Sequence, residues 1–264
     1  TGNLELWLRG DDGLTLDGNG DVEIWADQSG NGRNLSQETE ADRPTTTASP
    51  NFGGQTVVDF DGSDDALGPV TIPTSGGENV AFGSDYSVFV VGTTVTSGQE
   101  TFLSAVYPGS SLQVFSSDGG GKLRFLHRES GSNDDNRNGS GFSPTDADGD
   151  ILTFTRGTPG SGNQQRWIDG GSNVSISATQ NGFTDEAELR LGRQPAGRYL
   201  AGSIAEVVVL GKEINATRRT LIENYFSAKY DITLSGTDVY AGDTNGNGDY
   251  DLGVFGVGQE SPSD

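Results

Sequence analysis

The hydrophobic residues of this chain fall in short alternating runs, and the 41 glycines cluster between those runs. Alternation with a period of two is typical of strands with one buried face, and frequent turn residues are typical of sandwiches and barrels. The pattern predicts eleven strands: Leu4–Leu8, Val57–Phe60, Ser87–Thr94, Glu100–Val106, Leu112–Ser116, Lys122–Arg128, Ile151–Arg156, Gln164–Asp169, Asn173–Ser177, Glu188–Leu191 and Gly202–Leu210.

One segment breaks the strand pattern. Asn215 is a good helix N-cap, and Leu221, Ile222, Tyr225 and Phe226 follow it at helical spacing up to about Tyr230. No strand–helix–strand repeat is present, so the sequence predicts an all-β fold in which two antiparallel sheets form a jelly-roll sandwich. We expect the single late helix to pack on the rim or on one sheet and to have no chemical role.

Composition divides the chain into two parts. Residues 1–234 contain all of the predicted strands and the helix, and we expect them to form one domain. Residues 235–264 are rich in Asp, Asn and Gly and are interpreted as an extension. We expect the chain to be a segment of a larger exported protein, flanked by other domains and located outside the cell or on its surface.

Charge and residue usage exclude several functional classes. The net charge is −22, with 38 acidic against 16 basic residues, so there is no basic surface of the kind that nucleic-acid binding requires. No apolar run approaches the roughly 20 residues of a membrane-spanning helix. Cysteine is absent, which excludes disulfides, zinc–thiolate sites and thiol catalysis.

Three motifs resemble the first half of bacterial secreted laminin G-like domains, which belong to the concanavalin A-like lectin/glucanase group. They are Leu6-Trp7-Leu8-Arg9-Gly10-Asp11, Ile24-Trp25-Ala26-Asp27-Gln28-Ser29-Gly30-Asn31 and Val57-Val58-Asp59-Phe60-Asp61-Gly62. Later segments around Tyr199–Val207 and Ile222–Ile232 are similar to the penultimate strand and closing helix of that family. The resemblance implies the jelly-roll fold, and leaves function to be argued from the site.

Two acidic turns are candidate calcium sites in the first half of the chain. The loop Asp27–Gly32 offers side-chain oxygens at Asp27 and Asn31, and calcium takes six to eight oxygen ligands. The resemblance implies that this loop lies close to the Asp-Gly turn at Asp61. The alternative is a polar turn in which Asp27 and Ser29 satisfy backbone amides.

A third candidate loop is the clearest metal pattern in the sequence. Oxygen-bearing side chains recur at alternate positions with a glycine in the middle, as in an EF-hand or dockerin loop. Valine stands where the bidentate glutamate is expected, and a plain hairpin turn is the alternative. The proposed ligands of Ca²⁺ in this loop are Asp243, Asn245, Asn247, Asp249 and Asp251.

Catalytic signatures are weak. His127 is the single histidine, and no Gly-x-Ser-x-Gly elbow accompanies it. The carboxylate spacing of retaining glycoside hydrolases of this fold is absent, and Glu186-Ala-Glu188-Leu-Arg190 only faintly resembles the active-site strand of the lyases of this fold. We therefore expect a protein without enzymatic activity.

The arginines indicate a ligand. Thirteen arginines stand against three lysines, and many lie in or beside the middle strands. Arginine forms bidentate hydrogen bonds with carboxylate and sulfate, and an aromatic ring beside it can stack on a sugar. Internal ion pairs with Asp and Glu are the alternative. The proposed ligand-binding residues are Arg124, Arg128, Trp167, Arg193, Arg198 and Tyr199.

Together these patterns favour a calcium-binding carbohydrate-binding or adhesion module whose partner is a glycan or polysaccharide, including acidic ones. A spacer domain that binds only metal is the main alternative, because the sequence lacks a dense aromatic cluster. A polysaccharide hydrolase or lyase is a third and weaker one.

Overall fold

The computed structural model describes residues 4–73, 82–95, 98–107, 111–117, 122–129, 132–136, 149–181 and 186–240. Within these ranges the chain forms one α-helix, α1 (Ala216–Tyr230), and many short strands. The strands are β1 (Leu4–Arg9), β2 (Leu14–Leu16), β3 (Val22–Trp25), β4 (Leu35–Ser36), β5 (Thr45–Ala48), β6 (Thr56–Asp61), β7 (Leu67–Ile72), β8 (Tyr86–Thr94), β9 (Thr101–Tyr107), β10 (Ser111–Ser117), β11 (Leu123–Glu129), β12 (Ser132–Asn136), β13 (Asp150–Arg156), β14 (Asn163–Ile168), β15 (Gly171–Ser177), β16 (Ala187–Leu191), β17 (Arg193–Gln194), β18 (Arg198–Tyr199) and β19 (Ala201–Leu210).

Two antiparallel sheets make the sandwich. The large sheet has the order β15-β14-β13-β8-β19-β6-β5, and β1 pairs with the second half of β19. The six-stranded sheet has the order β12-β11-β10-β9-β16-β7. A small sheet of β2, β3 and β4 and the hairpin of β17 and β18 complete the strands that are described. The predicted all-β antiparallel sandwich with one helix is confirmed.

Hydrophobic residues form two cores, one on each side of the large sheet. Between the sheets, the rings of Phe115, Phe125 and Phe154 pack with centroids 4.8–5.5 Å apart. On the other side, Phe226 of α1 packs against Phe89 of β8. Because both faces of the large sheet are covered, every residue of β8 is buried.

The helix begins and ends where the sequence predicts. The Asn215 side chain accepts a hydrogen bond from the Arg218 amide, and Asp231 ends the helix in a left-handed conformation (φ 54°). It packs on one sheet, as expected. No helix among the described residues is long and apolar enough to cross a membrane.

A buried charged cluster attaches the helix to the large sheet. Glu206 of β19 is fully buried, and its carboxylate accepts hydrogen bonds from Lys229 Nζ (2.7 Å), Tyr230 Oη (2.6 Å) and Trp7 Nε1 (2.6 Å). Lys229 Nζ also lies 3.0 Å from Asp11 Oδ1. One carboxylate therefore joins β1, β19 and α1.

The chain stays attached to the domain beyond Leu234, where the sequence predicts the domain to end. The Asn224 side chain of α1 accepts hydrogen bonds from the amides of Val239 (2.8 Å) and Tyr240 (3.0 Å), and it donates to the carbonyl of Thr237 (2.8 Å). Residues 235–240 therefore lie against the helix, on the side of the large sheet that faces away from the six-stranded sheet.

Candidate functional site

Alternate residues of the six-stranded sheet point away from the core. Leu103 and Ala105 of β9, and Leu189 and Leu191 of β16, belong to the core between the sheets. Their neighbours Ser104 and Arg190, which are paired across the two strands, consequently face outwards. We call this surface the outer face of the six-stranded sheet.

The hairpin of β17 and β18 folds onto this outer face. Ser104 Oγ donates a hydrogen bond to the carbonyl of Arg193 (2.7 Å), and Gly197 makes the turn in a left-handed conformation (φ 71°). The guanidinium carbon of Arg193 lies 5.5 Å from the centre of the Tyr199 ring. Arg198 is exposed. When the Gln194 side-chain amide is oriented with its oxygen towards Arg198, that oxygen accepts a hydrogen bond from Arg198 Nη1 at 3.0 Å. Three predicted ligand-binding residues thus lie together.

Arg190 extends this basic cluster. Its Nη2 donates to Glu188 Oε2 at 2.7 Å, on the same strand. Its Nη1 and the Nε of Arg193 are buried and have no hydrogen-bond acceptor within the part of the chain that the structure describes. Buried donors without an acceptor are unfavourable, so an added acceptor stabilises them. Neither Arg190 nor Glu188 is among the predicted site residues, although the Glu-x-Arg spacing on one strand was visible in the sequence.

Arg124 and Arg128 point the same way from β11, but both have protein partners. Arg124 is 7 % exposed and makes two hydrogen bonds to the carboxylate of Asp135, at 3.0 and 2.8 Å. Arg128 Nε donates to Asn133 Oδ1 at 2.9 Å. Arg124 therefore has the internal ion pair that the alternative interpretation expects, and it offers little surface to a ligand.

Trp167 lies on the other side of the molecule. It is paired with Thr153 on the face of the large sheet that α1 covers, where Thr153 Oγ1 donates to Glu223 of the helix. The guanidinium carbon of Arg219 stands 4.5 Å from the Trp167 ring centre. The sandwich thus separates Trp167 from the hairpin, and the two do not form one ligand face.

The loop that contains Asp27 and Asn31 is held by hydrogen bonds. Asp27 Oδ1 accepts from the amides of Trp7 (3.0 Å) and Ser29 (2.9 Å), and Oδ2 accepts from Ser29 Oγ (2.8 Å) and the Arg33 amide (3.0 Å). Asn31 turns its NH₂ group towards the carbonyls of Leu4 (2.9 Å) and its neighbour. These are the amide contacts that the polar-turn alternative expects, and calcium binding at Asp27 and Asn31 stays a prediction.

The turn after β6 brings three carboxylates together. Oxygens of Asp61, Asp64 and Asp65 lie within 4.8 Å of one another. Burial, with the charges of Asp61 and Asp64, raises the pKa of Asp65 to about 6. Burial opposes ionisation of Asp61 as well, but amide hydrogen bonds from Ser63 and its neighbours lower its pKa. Three carboxylates at this spacing suit a hard cation.

Asp61 lies far from Asp27, contrary to what the resemblance implies. Asp27 bonds to Trp7, which pairs with Val208, whereas Asp61 pairs with Ala201 at the other end of β19. Seven residues of strand separate the two places by about 23 Å. The Asp61 turn instead adjoins the hairpin, because a Cβ on Gly192 would lie 3.0 Å from the Asp65 carbonyl.

The later calcium loop and His127 are the last two features that the sequence singles out. The predicted calcium ligands Asp243, Asn245, Asn247, Asp249 and Asp251 lie outside the residues that the structure describes. His127 is fully buried, with Nε2 2.9 Å from the Asn181 carbonyl. Burial and the charge of Arg156 lower its pKa to about 3, so it is neutral and enclosed at physiological pH.

Comparison with known proteins gives no sequence family. No family model matches the chain, and no curated protein matches it either. The laminin G-like assignment therefore stays a prediction.

Solved structures share the fold. They include the binding domain of Paraclostridial Mosquitocidal Protein 1 (12 % identity, TM-score 0.60, 85 % of this chain and 52 % of that one) and the botulinum neurotoxin type G receptor-binding domain (13 %, 0.56, 85 % and 51 %). A third is domain 4 of AbnA, a GH43 extracellular arabinanase from Geobacillus stearothermophilus, in complex with arabinotriose (14 %, 0.57, 83 % and 97 %). The chain spans about half the length of the first two and nearly all of the third. The likeness supports the β-sandwich fold of this chain.

Proposed function

We propose that this protein is a non-catalytic carbohydrate-binding module of a larger exported protein, and that it binds acidic glycans at the β17–β18 hairpin. The observation that carries the proposal is the arrangement of Arg193 over Tyr199 with Arg198 exposed beside them. Arginine recognises carboxylate or sulfate through paired hydrogen bonds, and a tyrosine ring packs on the apolar face of a sugar.

The charge distribution supports an anionic ligand at this place. The chain carries a net charge of −22. Several arginines are already used inside the fold, including Arg33, Arg124 and Arg156, each paired with a carboxylate at 2.8–3.0 Å. Arg193 and Arg198 place two positive charges at the hairpin of an acidic protein, and such charges attract and orient an anionic group.

One of the solved structures supports a saccharide ligand in general. Domain 4 of the arabinanase is described with bound arabinotriose, and the neurotoxin domain is described as receptor-binding. Both have the sandwich fold of this chain, so the fold is compatible with saccharide binding. The choice of hairpin and of an acidic glycan rests on this chain's own arginines.

A binding role is favoured over catalysis by the state of the single histidine. His127 is enclosed and its pKa is lowered to about 3, so it exchanges no proton with a ligand on the outer face. Laminin G-like membership and an extracellular location belong to this proposal, and both follow from the motif resemblance.

Calcium is proposed at the Asp61 turn. The three carboxylates of Asp61, Asp64 and Asp65 lie within 4.8 Å of one another, next to the hairpin. A divalent cation there neutralises the mutual repulsion that helps to raise the pKa of Asp65. It also fixes the turn beside Gly192 and with it the start of the hairpin.

Isothermal titration with oligogalacturonate, a sulfated oligosaccharide and a neutral oligosaccharide tests the proposal. The unmodified chain is expected to bind one of the acidic ligands and to lose affinity as salt rises. Arg193→Ala and Arg198→Ala are each expected to weaken binding at least tenfold, since a hydrogen bond to a charged group contributes about 1.5–3 kcal/mol. Lys212→Ala is the matched control, because it removes an exposed positive charge beyond the opposite end of β19.

Absence of binding to all three ligands, with calcium present, would contradict the proposal. The spacer alternative would then be preferred. One observation favours it: Trp167 lies away from the hairpin, which leaves Tyr199 as the aromatic platform beside the described arginines.

A further inference from the structure

A cavity of about 360 Å³ opens where β9 ends and β16 begins. Its lining combines hydroxyl and carboxylate groups with apolar surface, and the lining residues are Thr71, Val106, Tyr107, Glu186, Ala187 and Glu188. The volume is at the lower end of the range for small-molecule sites, which run from about 300 to 1,000 Å³. It is enough for one sugar unit and too small for an oligosaccharide.

The strand register places this cavity next to the hairpin. Thr71, Glu188 and Val106 are directly paired neighbours on β7, β16 and β9, so they form one row across the outer face. Arg190 lies two residues further along β16, about 7 Å away. It is opposite Ser104, which holds Arg193. Glu188 lines the cavity and pairs with Arg190, so it joins the cavity to the hairpin, whereas Tyr107 and Ala187 of the lining belong to the core between the sheets.

The two parts have opposite charge. The cavity has the carboxylates of Glu186 and Glu188, and the Glu188 side chain is 55 % exposed. The hairpin has Arg193 and Arg198. Carboxylates accept hydrogen bonds from hydroxyl groups and repel a second carboxylate or a sulfate. The Glu188–Arg190 ion pair, at 2.7 Å, is the boundary between them.

We infer that the cavity binds a neutral, hydroxyl-bearing sugar unit that is linked to the acidic unit held at the hairpin. The preferred ligand class is thus a mixed saccharide in which a neutral unit adjoins a charged one, and Glu188 is the residue that discriminates against a second charge. This inference rests on the proposed function, because the hairpin supplies the acidic half of the site.

Titration calorimetry on the full chain with two disaccharides tests the inference. One disaccharide joins a neutral hexose to a uronate, and the other joins two uronates. The mixed disaccharide is expected to bind about tenfold more tightly, since like charges brought together across a binding surface disfavour the wrong ligand. Glu188→Gln is expected to bring the two affinities within about twofold of each other, mainly by improving the diuronate.

Two further variants separate this inference from the proposed function. Thr71→Val removes one cavity hydroxyl and is expected to weaken binding of the mixed disaccharide only. Glu38→Gln, at an exposed position, is the control and is expected to leave both affinities unchanged. If Arg193→Ala abolishes binding while Glu188→Gln leaves the preference unchanged, the cavity inference fails and the proposed function stands. Equal affinity of the unmodified chain for both disaccharides also overturns it. If the chain binds neither disaccharide, the cavity inference and the proposed function are both overturned.

Discussion

Arg156 and Asp134 form an ion pair inside the sandwich, with Arg156 Nη1 2.8 Å from Asp134 Oδ2 and side-chain exposures of 0 % and 3 %. The two residues come from β13 and β12, so the pair joins the large sheet to the six-stranded sheet. Asp134 also accepts hydrogen bonds from the amides of Thr179 and Gln180, both at 2.9 Å. These donors hold the pKa of Asp134 below its usual value despite its burial.

Asp134→Ala is expected to lower the free energy of unfolding by about 3–5 kcal/mol, because it leaves Arg156 charged and buried without its partner. Urea denaturation followed by tryptophan fluorescence measures the loss. Asp135→Ala is the matched control on the same strand. Its pair with Arg124 is partly exposed (17 % for Asp135), so a smaller loss is expected. Equal losses in the two variants would contradict the structural role of the Arg156–Asp134 pair.

Glu100 gives the molecule a pH-dependent stability. It is 3 % exposed, and burial raises its pKa to about 7 although it accepts a hydrogen bond from the Ala201 amide. The folded chain therefore binds this proton more tightly than the unfolded chain, whose value is 4.5. The stabilisation is complete below pH 4.5 and is lost as pH rises through about 7.

Glu100→Gln is consequently expected to raise the melting temperature more at pH 8 than at pH 4.5, relative to the unmodified chain. Differential scanning fluorimetry at the two pH values measures the difference. Glu38→Gln, at an exposed position, serves as the control. The same shift at both pH values would show that Glu100 is not the titrating group.

His127 acts in the opposite direction. Its pKa is lowered from 6.5 to about 3, mainly by burial, so the unfolded chain binds this proton more readily than the folded one. The stability that depends on a neutral His127 is present above pH 6.5 and is lost as pH falls towards 3. His127→Gln removes this titration, so the variant is expected to lose less free energy of unfolding than the unmodified chain as pH falls from 6.5 to 3.5.

Circular dichroism during urea titrations at several pH values tests the His127 expectation. The contribution of Glu100 is common to both chains and cancels in the difference between variant and unmodified protein. A difference that does not change with pH would contradict the assigned cause.

Calcium binding is expected to raise the melting temperature, because a ligand that binds only the folded form adds RT ln(1 + [L]/Kd), or about 2.7 kcal/mol at a hundredfold excess over Kd. Chelation should reverse the effect, and sodium at equal ionic strength should not reproduce it. The double variant Asp61→Asn, Asp64→Asn is expected to remove the part of the melting-temperature increase that comes from the turn after β6. The double variant Asp243→Ala, Asp249→Ala is expected to remove the part that comes from the later loop. An identical melting curve in chelator and in calcium would exclude both sites.

The sequence predicted the longer hydrophobic strands. It missed the short or polar ones, and also β7, where Gly68 and Pro69 interrupt the hydrophobic pattern. Each of the eleven predicted strands overlaps an observed one, whereas β12, with the sequence Ser-Asn-Asp-Asp-Asn, has no hydrophobic pattern at all. Its Asp134 and Asn136 point inwards because buried groups of β13, β14 and β15 need partners. That need depends on tertiary pairing and is invisible along the chain.

The site was predicted in part for a similar reason. Arg193, Arg198 and Tyr199 are close in sequence, so a short hairpin brings them together. Trp167 belongs to a strand with the predicted alternation, but its face of the large sheet is the one that α1 covers. The packing of Phe226 on Phe89 determines which face the helix covers. The role of Asp27 was ambiguous because a loop rich in side-chain oxygens can bind either a cation or backbone amides. One of the amide donors to Asp27 in the structure, that of Trp7, lies 20 residues earlier in the chain.

The hydrogen bonds that the amides of Val239 and Tyr240 donate to Asn224 Oδ1 have a mechanical consequence. They fix the last described residues against the helix, on the side of the large sheet opposite to the hairpin's face. A tension applied through the following residues is therefore transmitted to the helix and to the buried Glu206 cluster beneath it. The strands that carry Arg190 and Arg193 lie outside this path of hydrogen bonds, at the six-stranded sheet.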